Sequence, residues 1–297
     1  MTILVDGSNV AMSAHFANDT LTGPNGKKTG AIFGVLRSLH TLINRFVPAP
    51  VFDARLVVAW DCRRHMSWRR QFYAGYKATR DLATEEEKEQ LKEYFEQLPI
   101  LRASIQALGL HQLTIDNYEA DDIAGLYYRD HLSKLPESSL MLVSGDKDWL
   151  QLIDKHSSVW QPTKERLIGL HNFTQITGAA DPIQYIKMLA IIGDKVDDVP
   201  GCRGIGEKLA LDYLRGEMKP GARFDKIKAW IKDPDGLKRS LRLVSLRSQL
   251  VEPGNVDLLQ GRLDQHELAR IFAELGFRSL EENFSTFTET FARVNVT

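Results

Sequence analysis

Residues 140–148 read LMLVSGDKD: four apolar residues, a Ser-Gly turn, and a lysine with one aspartate on each side. A short continuous apolar run of this kind is typical of a buried strand in a parallel sheet. Two other runs end in the same way, because residues 3–5 are followed by Asp6 and residues 56–60 by Asp61. The carboxyl ends of parallel strands meet at one edge of a sheet, which predicts that these acids lie together there.

Helical patterns separate the strands. Apolar residues recur at helical spacing over residues 32–46, and Thr84 with Glu87 forms a capping-box pattern that predicts a helix to about residue 98. Strands and helices continue to alternate up to about residue 160. This alternation predicts the α/β class, with a Rossmann-like parallel sheet and right-handed crossovers.

The last part of the chain has a mostly helical pattern. Asp181 and Pro182 are a typical N-cap and first helical residue, and the helix that they begin is predicted to run to residue 192. A stretch rich in glycine and aspartate follows at residues 193–206, and another helix is predicted from Glu207.

The composition excludes several classes of protein. The chain has 297 residues, 38 of them basic and 39 acidic, with 43% hydrophobic residues, which is ordinary for a globular protein of one or two domains. Cys62 and Cys202 are the two cysteines, so a disulfide framework is excluded. No apolar run reaches the roughly 18 residues that a membrane helix needs. We expect a cytoplasmic protein with no membrane contact; the family resemblance described below further implies a monomer, in a bacterium or in the host of a phage.

Basic residues are concentrated in two segments despite the formal net charge of -1. Residues 63–80 contain no acid, and aromatic residues are interleaved with their cations, which are Arg63, Arg64, Arg69, Arg70, Lys77 and Arg80. Residues 219–247 contain nine Lys or Arg and three Asp. Cations with aromatics are typical of nucleic-acid contact, although a solvated basic helix face is the alternative. Because the first segment has little apolar surface to bury, we expect it to be mobile without DNA.

Acids are predicted to gather at the sheet edge and in the later glycine-rich turn. Such neighbouring carboxylates repel each other, and no run of Lys or Arg is interleaved with them, which favours divalent cations as their partners. Oxygen ligands suit Mg²⁺ or Mn²⁺. Each acid alone could instead form a turn or favour a helix N-terminus. The candidate ligands are Asp6, Asp61, Glu119, Asp121, Asp122, Asp146, Asp148, Asp194 and Asp197.

Five motifs resemble, in order, those of the flap endonuclease and 5′–3′ exonuclease family, which includes phage nucleases and the N-terminal part of bacterial DNA polymerase I. They are VDGSN at residues 5–9, WR at 68–69 leading to GYKATR at 75–80, YEADD at 118–122, SGDKD at 144–148, and GDKVDD at 193–198 running into PG and GIGEK. The resemblance implies a PIN-type nuclease core at residues 1–175, with a helical arch at about residues 63–98. It also implies a helical DNA-binding region at residues 176–297 with a helix-turn-helix, or helix-hairpin-helix-like, motif.

The resemblance also implies roles for single residues. Asp6, Asp61, Glu119, Asp121 and Asp122 would hold a first metal ion, Asp146 would lie between two ions, and Asp148, Asp194 and Asp197 would serve the second. Arg69, Lys77 and Arg80 would lie on the arch, with Lys77 and Arg69 adding positive charge to the transition state, and Tyr76 would stack on a base. Residues 201–208, with Gly204, Gly206 and Lys208, would grip duplex DNA, often with K⁺ bound to backbone carbonyls. Asp198 stands where the family usually has Asn, and we expect this position to shape the turn.

The function expected from these features is a structure-specific, divalent-metal-dependent 5′ nuclease acting in replication or repair. Its substrate would be branched or nicked DNA with a 5′ flap or single-stranded 5′ end, and replication proteins are candidate partners. Two alternatives stay open from the sequence: a non-catalytic DNA-structure-binding protein of the same fold, and a metal-dependent RNase.

Overall fold

A mostly parallel sheet organises the computed structural model, which describes residues 1–49, 54–134, 139–248 and 251–295. Across these residues the sheet has seven strands in the order β6-β5-β4-β1-β2-β3-β7, of which the five central strands are parallel and the two edge strands antiparallel. The predicted fold class is confirmed. The strands are β1 (Thr2–Asp6), β2 (Arg55–Trp60), β3 (His111–Ile115), β4 (Leu140–Val143), β5 (Ser157–Gln161), β6 (Arg166–Ile168) and β7 (Val256–Leu259).

Helices cover both faces of the sheet. They are α1 (Gly7–Ala17), α2 (Gly30–Phe46), α3 (Trp68–Phe72), α4 (Glu85–Ala107), α5 (Ala120–Lys134), α6 (Leu170–Thr177), α7 (Pro182–Ile192), α8 (Glu207–Leu214), α9 (Ala222–Lys232), α10 (Leu237–Val244), α11 (Gln265–Leu275), α12 (Arg278–Glu282) and α13 (Phe284–Phe291). Short 3₁₀ turns lie at Arg64–Met66, Ala78–Leu82, Lys147–Leu152 and Pro162–Lys164.

The alternation of side chains along β1 divides the core into two layers. Ile3 and Val5 pack in the cluster that contains apolar residues of α2, α4 and α11. Leu4 points to the opposite face and packs in the cluster that contains residues of α5, α7 and α10. A central strand buried on both faces explains the continuous apolar run before Asp6.

Local signals in the sequence set the starts of helices better than their ends. Thr84 and Glu87 form the predicted capping box, and the Asp181 carboxylate accepts the Gln184 N–H at 2.8 Å at the start of α7. The prediction that this helix ends at about residue 98 is wrong, because α4 continues through Pro99 to Ala107. Its later turns bury Leu101 and Ile105 completely, and this burial offsets the backbone hydrogen bond that the proline cannot form.

The C-terminal part of the chain returns to the sheet. β7 pairs with β3, α11 packs on α4, and α13 packs on α2. The Asn295 side chain hydrogen-bonds to both the backbone N–H and the carbonyl of Leu56, at 2.9 and 3.0 Å. The prediction that residues 176–297 form one helical DNA-binding region is therefore corrected for residues 256–295, which belong to the α/β core.

Among the residues that the structure describes, no helix is both long enough and apolar enough to span a bilayer.

Candidate active site

Three parallel strands deliver the first carboxylates to one edge of the sheet. In the register of β1 with its neighbours, Val5 lies opposite Val58 of β2 and Val143 of β4, so that Asp6, Asp61 and Asp146 follow at the same end. The Asp6 carboxylate caps α1 by accepting the Asn9 N–H at 3.0 Å, and it accepts the Ser144 hydroxyl at 2.8 Å.

A close approach of backbone explains the glycine after Asp6. A Cβ atom on Gly7 would lie 2.7 Å from the Val58 side chain and 2.9 Å from the Ala59 carbonyl oxygen. Glycine therefore lets α1 begin directly against β2, which keeps the Asp6 carboxylate at the edge where the parallel strands end.

The start of α5 contributes the second group of acids. The Asp61 carboxylate accepts the Ala120 N–H at 2.8 Å, which ties β2 to this helix. The Trp149 indole donates to the Asp121 carboxylate at 2.7 Å, which ties the helix to the turn after β4.

The glycine-rich turn after α7 contributes the third group. Asp194 and Val199 exchange two backbone hydrogen bonds, and the Asp194 carboxylate also accepts the backbone N–H groups of Val196 and Asp197. The Lys147 ammonium lies 3.6 Å from Asp194, so the turn faces the segment that carries Asp148.

The pKa values of the cluster reflect burial first and crowding of negative charge second. Burial, and next the Asp61 charge, raise the pKa of Asp6 to about 8. Burial and the Asp146 charge raise the pKa of both Asp121 and Asp148. A bound cation would relieve this repulsion, as a neighbouring positive charge favours the ionised form.

The donor chemistry fits hard divalent ions. The cluster supplies carboxylate oxygens, and one of them, the buried Oδ1 atom of the half-buried Asp148 side chain, has no hydrogen-bond partner. In the described ranges, no group of three acidic, histidine or cysteine side chains is already arranged as a metal site, so binding would have to draw the carboxylates together.

Two buried cations correct the expectation that the acids lack basic partners. The Lys77 ammonium lies 3.0 Å from Glu119 and 3.6 Å from Asp197, and the Arg69 guanidinium lies 2.7 Å from Asp122 and 3.6 Å from Glu119. Burial alone would raise the pKa of Glu119, but Lys77 and Arg69 outweigh it and lower the pKa to about 2. The cluster is therefore partly neutralised by the protein itself.

Arg69 and Asp122 pair with each other inside the protein. Both side chains are fully buried, and the Arg69 Nε also donates to the Leu243 carbonyl at 2.8 Å. The Asp122 carboxylate additionally accepts the Glu119 N–H at 3.0 Å. The two form an internal ion pair that fixes the start of α5, and their predicted contacts with metal and DNA stay predictions.

Tyr76 is also buried, with 3% of its surface exposed. Its hydroxyl lies 2.8 Å from Glu119 and 3.2 Å from Asp197. The ring is therefore not exposed for base stacking in this structure, and the role implied by the resemblance stays a prediction. Trp68 is buried as well, so the expectation that residues 63–80 have little apolar surface to bury is wrong.

The predicted DNA-binding cations are partly paired. Arg64 and Arg70 both bond to the carboxylate of Asp81, at 2.6 and 2.7 Å, and Arg80 bonds to Asp197 at 2.7 Å. Arg63 is exposed on the surface. The DNA contacts of these residues stay predictions.

The turn predicted to hold duplex DNA lies between α7 and α8. Gly204 has a φ of +81°, which favours glycine, and Gly206 precedes α8 with open space where a Cβ atom would lie. Lys208 is exposed in the first turn of α8. The contact of this turn with phosphates also stays a prediction.

Residues outside the predicted site help to build it. Asn9 accepts the Gly145 N–H at 2.9 Å, and Ser144 bonds to Asp6, which joins the motifs at residues 5–9 and 144–148. Those motifs could have indicated both residues. Thr79, which bonds to Asp198, lies in the motif at residues 75–80, but that motif did not indicate its partner.

Comparisons with known proteins agree with this geometry. Residues 1–178 match the family described as "5′-3′ exonuclease, N-terminal resolvase-like domain". The 5′-3′ exonuclease of Aquifex aeolicus is 30% identical over 286 residues, which cover 93% of this chain and 92% of that protein. DNA polymerase I of Streptococcus pneumoniae is 29% identical over 94% of this chain, which spans about a third (32%) of that longer protein.

The fold is shared with a solved nuclease structure. The bacteriophage T5 D15 flap endonuclease, in a complex with DNA and metal ions, superposes with a TM-score of 0.65 at 20% identity, over 98% of this chain and 99% of that one. The sheet edge lined with carboxylates, the family match over residues 1–178 and the near full-length similarity to the Aquifex protein lead to one assignment: the chain belongs to the 5′–3′ exonuclease family.

Proposed function

We propose that the chain is a structure-specific, divalent-metal-dependent nuclease that hydrolyses DNA at 5′ flaps and single-stranded 5′ ends, in replication or repair. The observation that carries the proposal is the convergence of carboxylates from three strand ends, the start of α5 and the turn after α7. Burial and neighbouring negative charge raise the pKa of Asp6, Asp121 and Asp148, and a bound cation would relieve this repulsion.

Two Mg²⁺ or Mn²⁺ ions are the proposed cofactors. Asp6, Asp61, Glu119, Asp121 and Asp122 would hold one, Asp146 would lie between the two, and Asp148, Asp194 and Asp197 would hold the other. When bound, such ions supply positive charge that activates a nucleophilic water and stabilises the phosphate oxygens.

The chain's own residues orient the substrate and balance its charge. Lys77 stands among the carboxylates, and its ammonium would contact a non-bridging oxygen of the scissile phosphate. The Tyr76 hydroxyl holds the Glu119 carboxylate in place. Arg69 acts from inside the protein by neutralising Asp122, so it positions α5.

The duplex would bind through residues 201–208. The N–H groups at the start of α8 follow Gly206 without a side-chain cap, which leaves them open to backbone phosphates. Lys208 and the exposed cations of α9 would add phosphate contacts. We also propose a monomer, with K⁺ bound by the carbonyls of this turn when DNA is present.

The carboxylate cluster disfavours a protein that only binds DNA. Such a protein would gain affinity by losing negative charge beside the phosphates, whereas these acids are kept despite raised pKa values. An RNase of the same chemistry would have no need of the turn that precedes α8.

A cleavage assay with a 5′-flap DNA tests the proposal. We expect cleavage with Mg²⁺ or Mn²⁺, none with EDTA, and little on an RNA strand or on a blunt duplex. Asp146→Asn should lower turnover by orders of magnitude and leave DNA binding intact. Asp19→Asn is a matched control, because Asp19 is exposed after α1 and is not one of the proposed ligands. Cleavage by Asp146→Asn at the unaltered rate, or activity in EDTA, would refute the assignment.

A further inference from the structure

Two residues with left-handed backbone face each other beside the carboxylates. Lys77 has a φ of +52° and Asp198 a φ of +54°, a region that residues other than glycine, Asn and Asp rarely adopt. The Lys77 N–H donates to the Asp197 carbonyl at 2.9 Å, so the two turns are in direct contact. Unfavourable backbone of this kind persists where surrounding contacts fix it.

Thr79 and Asp198 supply such contacts. One oxygen of the Asp198 carboxylate accepts both the Thr79 backbone N–H, at 2.8 Å, and the Thr79 hydroxyl, at 2.7 Å. Beside them, Arg80 bonds to the Asp197 carboxylate at 2.7 Å. We name the contact between Thr79 and Asp198 the latch.

The latch explains why an acid at position 198 need not bind metal. Its Oδ2 atom is taken up by Thr79, and the left-handed backbone suits Asp as well as Asn. The carboxylate therefore serves the neighbouring segment instead of the cation cluster.

We propose that Asp198 is a positioning residue, which through Thr79 holds residues 76–80 against the turn after α7 and so keeps the Lys77 ammonium beside Glu119 and Asp197. The part of this proposal that concerns catalysis rests on the proposed function. The structural part does not, since it concerns contacts within the chain alone.

Three substitutions separate the latch from the backbone of the turn. Asp198→Gly keeps the left-handed φ without strain and removes the acceptor. Asp198→Asn keeps both the φ preference and an acceptor oxygen, so it is the matched control. Thr79→Val removes the hydroxyl and keeps the side-chain shape, with Thr79→Ser as its control.

Hydrogen exchange of the metal-free protein tests the structural part. The backbone N–H groups of Lys77 and Thr79 donate across the contact, so their exchange reports its opening. We expect exchange about tenfold faster in Asp198→Gly, and within about threefold of the unaltered protein in Asp198→Asn. Equal exchange in Asp198→Gly and Asp198→Asn would overturn the proposal.

Single-turnover cleavage at saturating 5′-flap DNA tests the catalytic part. Asp198→Gly and Thr79→Val should be slower by about 10- to 100-fold, as expected for a misplaced catalytic group, and Asp198→Asn and Thr79→Ser should be close to the unaltered rate. The dissociation constant for DNA should change little, because the exposed cations are untouched. A faster reaction in Asp198→Gly would show that the latch restrains catalysis and would refute positioning. The unaltered protein could fail to cleave DNA while Asp198→Gly still exchanges fast. That result would refute the proposed function but would still support the structural role of the latch.

Discussion

Asp6 gives a prediction that needs no substrate. The side chain is 4% exposed, and burial together with the Asp61 charge raises its pKa from 3.8 to about 8. Between these two values the folded protein holds a proton that the unfolded chain has released. The free energy of unfolding in EDTA should therefore fall as the pH rises through this window, and then level off above about pH 8.

The size of the effect follows from the interval between the two pKa values. One proton corresponds to about 1.4 kcal/mol per pH unit, so an interval of about four units sets an upper limit of roughly 6 kcal/mol. Asp146 also repels Asp6 and shares the titration, which makes the measured slope smaller. Glu119 has the opposite effect, because its pKa is lowered from 4.5 to about 2. Its ionised carboxylate stabilises the folded protein at neutral pH, and this stabilisation is lost only as the pH falls from about 4.5 towards 2.

The test compares the unaltered protein with Asp6→Asn by urea unfolding in EDTA, from about pH 5 to about pH 9. Asn preserves an oxygen acceptor for the Asn9 N–H and removes the charge. We expect a clearly smaller dependence on pH in the variant, and a variant more stable than the unaltered protein at about pH 8. Mn²⁺ should stabilise the unaltered protein most at high pH. Parallel pH profiles for the two proteins would refute the reasoning.

Three further outcomes are expected. Lys77→Ala should lower the single-turnover rate on saturating 5′-flap DNA by roughly 10², whereas Arg63→Ala should mainly weaken binding; an unchanged rate in Lys77→Ala would make this lysine only a structural counter-charge. Arg69→Met should cost about 3–5 kcal/mol in urea unfolding, because it leaves the Asp122 carboxylate buried without its partner, and a loss below about 1 kcal/mol would contradict that role for the pair. Gly206→Asp should weaken duplex binding whatever the DNA sequence, and binding by the unaltered protein should fall with salt at a log–log slope of about -0.9 per phosphate; salt-independent affinity would exclude the phosphate grip.

The sequence predicted the parts of the site that depend on neighbours along the chain. Asp6 and Asp61 directly follow apolar runs, and the position of a strand end needs no knowledge of distant residues. Asp181 and the capping box at Thr84 are local in the same sense.

Contacts between distant segments could not be predicted in this way. The ion pair of Arg69 with Asp122 joins residues 53 positions apart, and the bond of Lys77 to Glu119 joins residues 42 apart. A count of charges along the chain treats these cations as free, whereas the fold buries them among the acids. The edge strand β7 was missed for another reason: its side chains are mostly exposed, so its sequence shows neither a buried apolar run nor a clear alternation.

The return of the C-terminal residues to the sheet has a consequence for the order in which the protein can mature during synthesis. Leu268, Phe272, Phe287 and Phe291 complete the same apolar layer as Ile32 and Leu36, and Asn295 closes onto the backbone of β2. When only the first 178 residues have been made, the outer edge of β3 lacks its partner β7, and the apolar residues of α2 and α4 lack the cover that α13 and α11 supply. The acids at the sheet edge can therefore reach their final positions only after nearly the whole chain has emerged, so a shortened nuclease ending near residue 178 should aggregate instead of cutting DNA.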